Sequence, residues 1–493
     1  MKNNILKIAC LCIVVMGLSA CESFLDEKPQ SDFTSEGTGE ENLVSKYSNV
    51  KDAEAELLGV YQLFKNNTFE FEIYMINDVQ TDNCYVGGDG IDGEEVDKIK
   101  LYSTNSKVEL VWGEYLSIAG SATNVIENTK LMGKSAISDA DRNRIIAEAK
   151  TIRAWAYFDM VRIWGGIPMV LQLIPTITSE NLETWYPIMY PERTPESDVY
   201  DQILSDLDEN NTIKYLESTN KGAFKSTKGL AYGLLAKVLA SRGAKAERNY
   251  TKVVEACDKV IGEGYQLVDN FDELWQADNK YTKESIFEVY YTAESPNWAE
   301  WVLLKEADGT VTWRRYCTPT HDLIAKFDKV NDTRYASSII WKKAPYDVFF
   351  PASKYPFSYK IREKSSDIIY MRLADIMLIK AEALVELNRS SEAIDIVNKI
   401  RERAGLGTSS LDKTMSQSSA RLAVENERQL ELYMEGQRWF DLQRNDRIIE
   451  IMSKHKDQNG KLLFTNLAEF RYKWPLPQNE LDKNTRLTQN TGY

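Results

Sequence analysis

Residues 381–400, AEALVELNRSSEAIDIVNKI, set the architecture of this chain. Apolar residues recur every three to four positions on either side of Asn388-Arg389-Ser390, which reads as two amphipathic helices joined by a short turn. Small residues, Ala381 and Ala393, stand where two such helices cross closely. The same layout recurs over 236–261, with Ala236 and Ala240, a turn near 242–247, and a second helix from Tyr250. Both stretches read as tetratricopeptide-type helix hairpins. They are scattered, not in tandem at the family period of roughly 34 residues. A regular solenoid is therefore not expected; the hairpins form one side of a scaffold with irregular chain packed on it.

Working outward, helical periodicity dominates beyond residue 50. It predicts helices over 51–65, 108–132, 139–164, 195–210, 226–242, 248–262, 369–388 and 391–404, and one long charge-laced helix over 418–446. Ser138 is the expected N-cap of the third, which Gly165-Gly166 and Pro168 close. Thr194-Pro195 opens the fourth with proline at the first helical position. Three stretches break the pattern. Residues 77–100 read as a glycine-bearing loop, 167–193 hold four prolines, and 290–365 are rich in aromatics and turns. Short strand-like runs such as SIFEVYY (285–291) border them. The fold class expected is mainly α: a hairpin scaffold with a loop-rich irregular half carrying short strands. Function tends to sit on loops held by such a scaffold.

The N-terminus addresses the compartment. Lys2 and Lys7 precede an apolar run over 8–18, IACLCIVVMGL. Eleven residues are too few to span a bilayer, which takes about 20, but suit a signal peptide. The next residues, LSAC (18–21), form a lipobox. The expectation is a signal peptide over 1–20, acylation of Cys21, a polar tether over 21–50, and one domain over 51–493. Acidic residues behind the cysteine, Glu22, Asp26 and Glu27, fit export to the outer face. After loss of Cys10 and Cys12, and with Cys21 acylated, Cys84, Cys257 and Cys317 remain, widely spaced, so no disulfide framework is expected.

Composition excludes several classes. The net charge of −14 repels phosphate backbones, so nucleic acid is not an expected partner. Only His321 and His455 occur, which argues against a histidine triad or a multi-histidine metal site. GKS at 133–135 resembles the tail of a phosphate-binding loop, but Asn128 stands where that loop needs glycine. Asp89, Asp92, Glu94 and Glu95 have the ligand chemistry of Ca2+ without the EF-hand spacing, and a solvated acidic loop is the simpler reading. No catalytic residue, cofactor or metal is expected.

Six segments together carry a resemblance: LSACESFLDEKPQ (18–30), RAWAYFDMVRIWGGIPMV (153–170), TKGLAYGLLAKVLASRG (227–243), YMRLADIMLIKAEALVELN (370–388), ENERQLELYMEGQRWFDLQR (425–444) and YKWPLPQNELDKNTRLTQNTGY (472–493). Over essentially its whole length the chain resembles the SusD/RagB family of outer-membrane nutrient-binding lipoproteins. It departs at Thr491, where the family usually has proline, and at Gln429, where a second arginine is common. The resemblance implies four tetratricopeptide-like hairpins, a ligand site on the loop-rich half, and a SusC-like TonB-dependent transporter as partner. It also implies a lipid-anchored protein facing the cell exterior. Family ligands are mostly oligosaccharides, and the RagB branch handles peptides.

The shared segments read as structural. Trp155, Trp164 and Trp439 are expected in the core, and Arg428, Glu435, Arg438 and Asp441 in a scaffold network. Sugar recognition needs flat apolar faces beside amides and carboxylates, on loops. Two stretches fit. Residues 77–85 offer Asn77, Asp78, Asp82, Asn83 and Tyr85; residues 295–316 offer Trp298, Trp301, Trp313, Arg314 and Tyr316, with Trp341 and Tyr346 beyond them. The expectation is a non-enzymatic glycan-binding lipoprotein that passes its ligand to the transporter, with a peptide-binding, RagB-like protein as the alternative.

Overall fold

The computed structural model describes residues 34–35, 43–87, 91–218, 224–297, 317–343, 349–351 and 353–493. Antiparallel helices dominate. Ser106–Leu131 lies along Asp139–Trp164, Lys228–Ser241 along Tyr250–Gly262, and Leu373–Glu386 along Ser390–Arg403. The fourth unit is Gln417–Glu431 followed by the short Arg438–Arg444. Tyr250–Gly262 packs on Leu373–Glu386, so the second and third hairpins share a core. Val50–Gln62 and Glu196–Asp206 flank the first hairpin.

Local chemistry explains the boundaries. The Ser138 hydroxyl accepts from the Asp141 amide at 3.1 Å and caps the long Asp139–Trp164 helix. Gly165, at φ +79°, ends it. A side chain at Gly166 would meet the Thr194 carbonyl at 2.6 Å, so the chain there crosses backbone on backbone. Arg193 donates to the carbonyls of Gly166 (2.7 Å) and Trp164 (2.9 Å). Asn490, near the C-terminus, donates to the carbonyls of Trp164 (3.0 Å) and Trp474 (2.7 Å). Trp112, Trp164 and Trp474 meet edge to face and are fully buried. Trp155 and Trp439 are buried too, as their sequence context predicts.

Among the described residues the sheets are four short two-stranded pairs. Ser285–Val289 pairs antiparallel with Ile368–Arg372, and Ile339–Lys342 with Tyr355–Ser358. Cys84–Tyr85 pairs antiparallel with Thr318–Pro319, and Thr34–Ser35 parallel with Ile174–Pro175.

Four expectations are corrected. Residues 368–372 form a strand buried on both faces, so the helix predicted from 369 starts at Leu373. The helix predicted over 418–446 stops at Glu431 and resumes at Arg438. Between them Met434 (φ +59°) and Gly436 (φ +67°) reverse the chain, and the buried Asp78 carboxylate accepts from both of their amides at 3.3 Å. The loop predicted over 77–100 carries regular elements: Met75–Val79 is a π-helical turn, and Ile91–Asp97 is a helix that bears Asp92, Glu94 and Glu95. The helix predicted over 195–210 ends at Asp206, with Pro195 in the capping position just before its first turn. At the N-terminus packing begins before residue 50: Tyr47 is buried, and the Lys46 amide donates to Asn128 at 2.9 Å.

Candidate ligand-binding surface

The irregular half rests on a buried ionic network. Arg372 donates to Glu284 (2.7 Å), Glu431 (2.6 Å) and Glu435 (2.6 Å). Arg334 holds Asp332 (2.8 Å), Glu427 (2.6 Å) and Glu431 (3.0 Å), and Arg403 pairs with Glu284 and Glu431. Burial pushes the Glu431 carboxyl up, but Arg403, Arg372 and Arg334 outweigh it and hold the group well below the usual carboxylate range. Lys360 donates to Glu435 at 2.6 Å; desolvation lowers this amine to about 8 despite its partner. A second cluster joins Arg428 to Asp375 and Asp441 (each 2.9 Å) and Arg444 to Glu382 (2.7 Å). The predicted scaffold roles of Arg428, Glu435, Arg438 and Asp441 are what the geometry displays.

The residues proposed at 77–85 belong to this interior. Asp82 and Asn83 are buried, and Asp82 forms a two-pronged pair with Arg438 (2.8 and 2.9 Å). Burial raises the Asp82 carboxyl, and Arg438 and Lys326 more than reverse it. Gln429 donates to Asp82 at 2.9 Å and to Asn83 at 2.8 Å, so this uncharged residue joins Arg438 on the Asp82 carboxylate. Asn83 donates to Asp78 at 2.8 Å; burial raises the Asp78 carboxyl to about 6. Tyr85 is buried with its ring edge-on to Phe349, 5.6 Å between centroids. Asp82, Asn83 and Tyr85 are thus corrected from an open loop to the wall behind one. Their partners lie far away in the chain, so no local pattern marks them as buried.

In front of that wall stands an aromatic surface. Thr320 caps the short His321–Lys326 helix, and its hydroxyl donates to the Asp82 carbonyl at 2.9 Å. The Thr320 amide also donates to the Asn83 carbonyl at 3.0 Å, which ties the start of the helix carrying His321 to the 82–83 turn. The His321 ring meets Phe350 at 4.2 Å, and Phe350 meets Trp341 at 5.9 Å and Tyr355 at 5.8 Å. Trp341 donates from Nε1 to the Tyr335 hydroxyl at 2.8 Å, which fixes its ring, and the Lys354 ammonium lies 5.1 Å from that ring. His321 and Lys354 are exposed, and Trp341, Tyr335 and Phe349 are half-buried. Flat rings, an ammonium and a nearby carboxylate (Asp322, exposed) offer stacking and hydroxyl-directed hydrogen bonds.

Trp298, Trp301, Trp313 and Tyr316 lie outside the described residues, as do Cys21, Asp89, Arg314 and Tyr346. On the N-terminal side of 298–316, Asn297 is buried and its amide donates to the Lys364 carbonyl at 2.8 Å. On the C-terminal side Cys317 is buried, with its sulfur 3.1 Å from that of Met434. Sequence reasoning missed His321, Phe349, Phe350 and Lys354. The available signal was the aromatic density of 341–350 within turn-rich chain.

Among the described residues, no three His, Cys, Asp or Glu side chains are placed to hold a metal ion, and no helix is long and apolar enough to cross a membrane. Fold and surface define a helical scaffold protein with a loop-borne aromatic face. Comparison with known proteins is consistent along the whole chain. The family model described as "SusD family" matches residues 261–493, and one described as "Starch-binding associating with outer membrane" matches 23–239. SusD-like protein P2 of Formosa agariphila is 26% identical, with 98% of each chain covered. Starch-binding protein SusD of Bacteroides thetaiotaomicron is 21% identical over 85% of this chain and 84% of its own. A laminarin-binding SusD-like protein has the same fold, with a TM-score of 0.71 at 21% identity over 91% of this chain and all (100%) of the other. The chain belongs to the SusD family.

Proposed function

We propose that this protein is a surface lipoprotein, acylated at Cys21, that binds an oligosaccharide without chemical turnover and passes it to a SusC-like TonB-dependent transporter. The observation that carries the binding half is the partly exposed group of Trp341, Phe349 and His321, held rigid by Tyr335 and Phe350. Rigid aromatic faces lose little entropy on stacking against the C–H face of a sugar ring. The starch-binding and laminarin-binding relatives support the ligand class, and the matched family description supports outer-membrane association. Trp298, Trp301, Trp313 and Tyr316 complete the site from the neighbouring stretch, and Asp82, Asn83 and Tyr85 fix the wall behind it. Calorimetric titration of the protein against oligosaccharides and peptides tests the reading, with Trp341→Ala/Phe349→Ala and Trp298→Ala/Trp301→Ala/Trp313→Ala variants alongside. Glycan binding weakened in either variant supports it. Binding to peptides alone replaces it with the peptide-binding alternative. Recovery of a TonB-dependent transporter with the tagged protein from solubilised outer membranes tests the partner.

A further inference from the structure

A second apolar surface lies away from the aromatic face. The helix Leu182–Met189, LETWYPIM, contains no buried residue. Leu182, Trp185, Tyr186 and Met189 stand at i, i+3, i+4 and i+7, so they share one face, with Glu183 and Thr184 turned away from it. Leu182 is 44% exposed and Tyr186 37% exposed. Tyr186 packs on Tyr190, with 5.0 Å between ring centroids, and this extends the stripe. Among the packed elements the helix rests on the strand Ile174–Pro175. Trp185 and Met189 are half-buried and Leu182 and Tyr186 exposed, so the stripe stays partly uncovered along its length, which marks a contact surface.

The same strand says what covers it. Ile174–Pro175 pairs in parallel with Thr34–Ser35. Only twelve residues separate Cys21 from Thr34, a reach of at most about 45 Å when fully extended. The stripe therefore stands at the point where the anchored end of the chain joins the body. Tryptophan, tyrosine, leucine and methionine on one face of a short helix suit the boundary between headgroups and acyl chains. We infer that the Leu182–Met189 helix lies in the bilayer surface as a second membrane contact, fixing how the body is oriented above its lipid anchor. The inference rests on the acylation of Cys21 proposed above.

The test uses the full-length protein in cells, with a photoreactive phenylalanine analogue in place of Tyr186. A control places it at Tyr215, which is equally exposed at 37% but lies elsewhere. Lipid adducts at position 186, at least fivefold above those at 215, are expected. Adducts to protein at 186, or equal lipid labelling at both positions, overturn the membrane contact; the protein adducts would make the stripe a docking face for a membrane partner. The mass of the N-terminal peptide from the same sample reads acylation directly. An unmodified Cys21 refutes the anchor itself, an outcome separate from an acylated protein whose helix touches no lipid.

Discussion

Replacing Glu431 by glutamine tests whether the buried charges act as a unit. The Glu431 side chain is fully buried and receives hydrogen bonds from Arg372 (2.6 Å), Arg334 (3.0 Å) and Arg403. Its carbonyl also accepts from Arg372 (2.8 Å) and Lys360 (3.0 Å), so the backbone cannot easily move away. Glutamine keeps the shape but removes the charge, and its amide points a donor at a guanidinium that can only donate. Removing one partner from a buried ion pair costs about 3–5 kcal/mol, because the opposing charge stays desolvated. The assay is urea unfolding at pH 7, followed by tryptophan fluorescence, for the wild type, Glu431→Gln, Arg403→Met and the double variant. The double variant should lose clearly less than the sum of the singles, since each removes the other's stranded charge. High salt should leave the differences intact, because buried pairs are poorly screened. A loss below about 1 kcal/mol for Glu431→Gln, or strict additivity, would refute the reasoning.

Three further outcomes follow from local geometry. Burial raises the Asp97 carboxyl to about 7, so its contribution to stability is complete below its unfolded value near 4 and is lost as pH rises through about 7; Asp97→Asn keeps an acceptor for the Val86 amide and should stabilise the protein at pH 8 by up to roughly 4 kcal/mol, with no gain at pH 4, as measured by unfolding at both pH values. Gly436→Ala should destabilise by about 1–3 kcal/mol in the same urea assay, since φ is +67° and the new methyl would stand 2.9 Å from Ile73. Trp341→Ala should weaken glycan binding about tenfold by calorimetry, or ~1.4 kcal/mol, in a protein that still unfolds in a single cooperative transition.

The sequence made the helices legible because most carry both a period and a boundary residue. Ser138 and Gly165 fix the Asp139–Trp164 helix to the residue. What failed were places where a distant partner overrides local preference. The run from 418 to 446 has helical residues throughout, yet Asp78 captures the amides of Met434 and Gly436 and the helix breaks. Gly436 was the one local hint. Asn77, Asp78, Asp82 and Asn83 have the composition of a loop, but Asp78, Asp82 and Asn83 accept from the 434–436 turn, Arg438 and Gln429 inside the protein, and Asn77 donates to the Ile73 carbonyl. Composition alone cannot distinguish a polar side chain facing water from one facing a buried guanidinium. The aromatic surface was half legible: Trp341 stands out in sequence, while His321 joins it only because Thr320 bonds back to the 82–83 turn.

The same contacts determine which properties can change independently. The turn between Glu431 and Arg438 ties the ionic network to the strands behind the aromatic face. The Tyr433 hydroxyl meets Ser358 at 2.6 Å and Cys84 at 3.8 Å, and Met434 lies against Cys317. The network thus sets the position of the strands, while the rings in front of them pack half-buried against the edge of the core. Trp341 and Phe349 are half-buried and donate no hydrogen bond to the ionic network. Exchange of those rings should therefore alter ligand preference at a smaller cost in stability than exchange within the network, which should leave the folded protein's ligand preference unchanged. If Glu431→Gln, below its unfolding midpoint, changed the rank order of oligosaccharides bound, the wall and the face would be one mechanical unit and this division would fail.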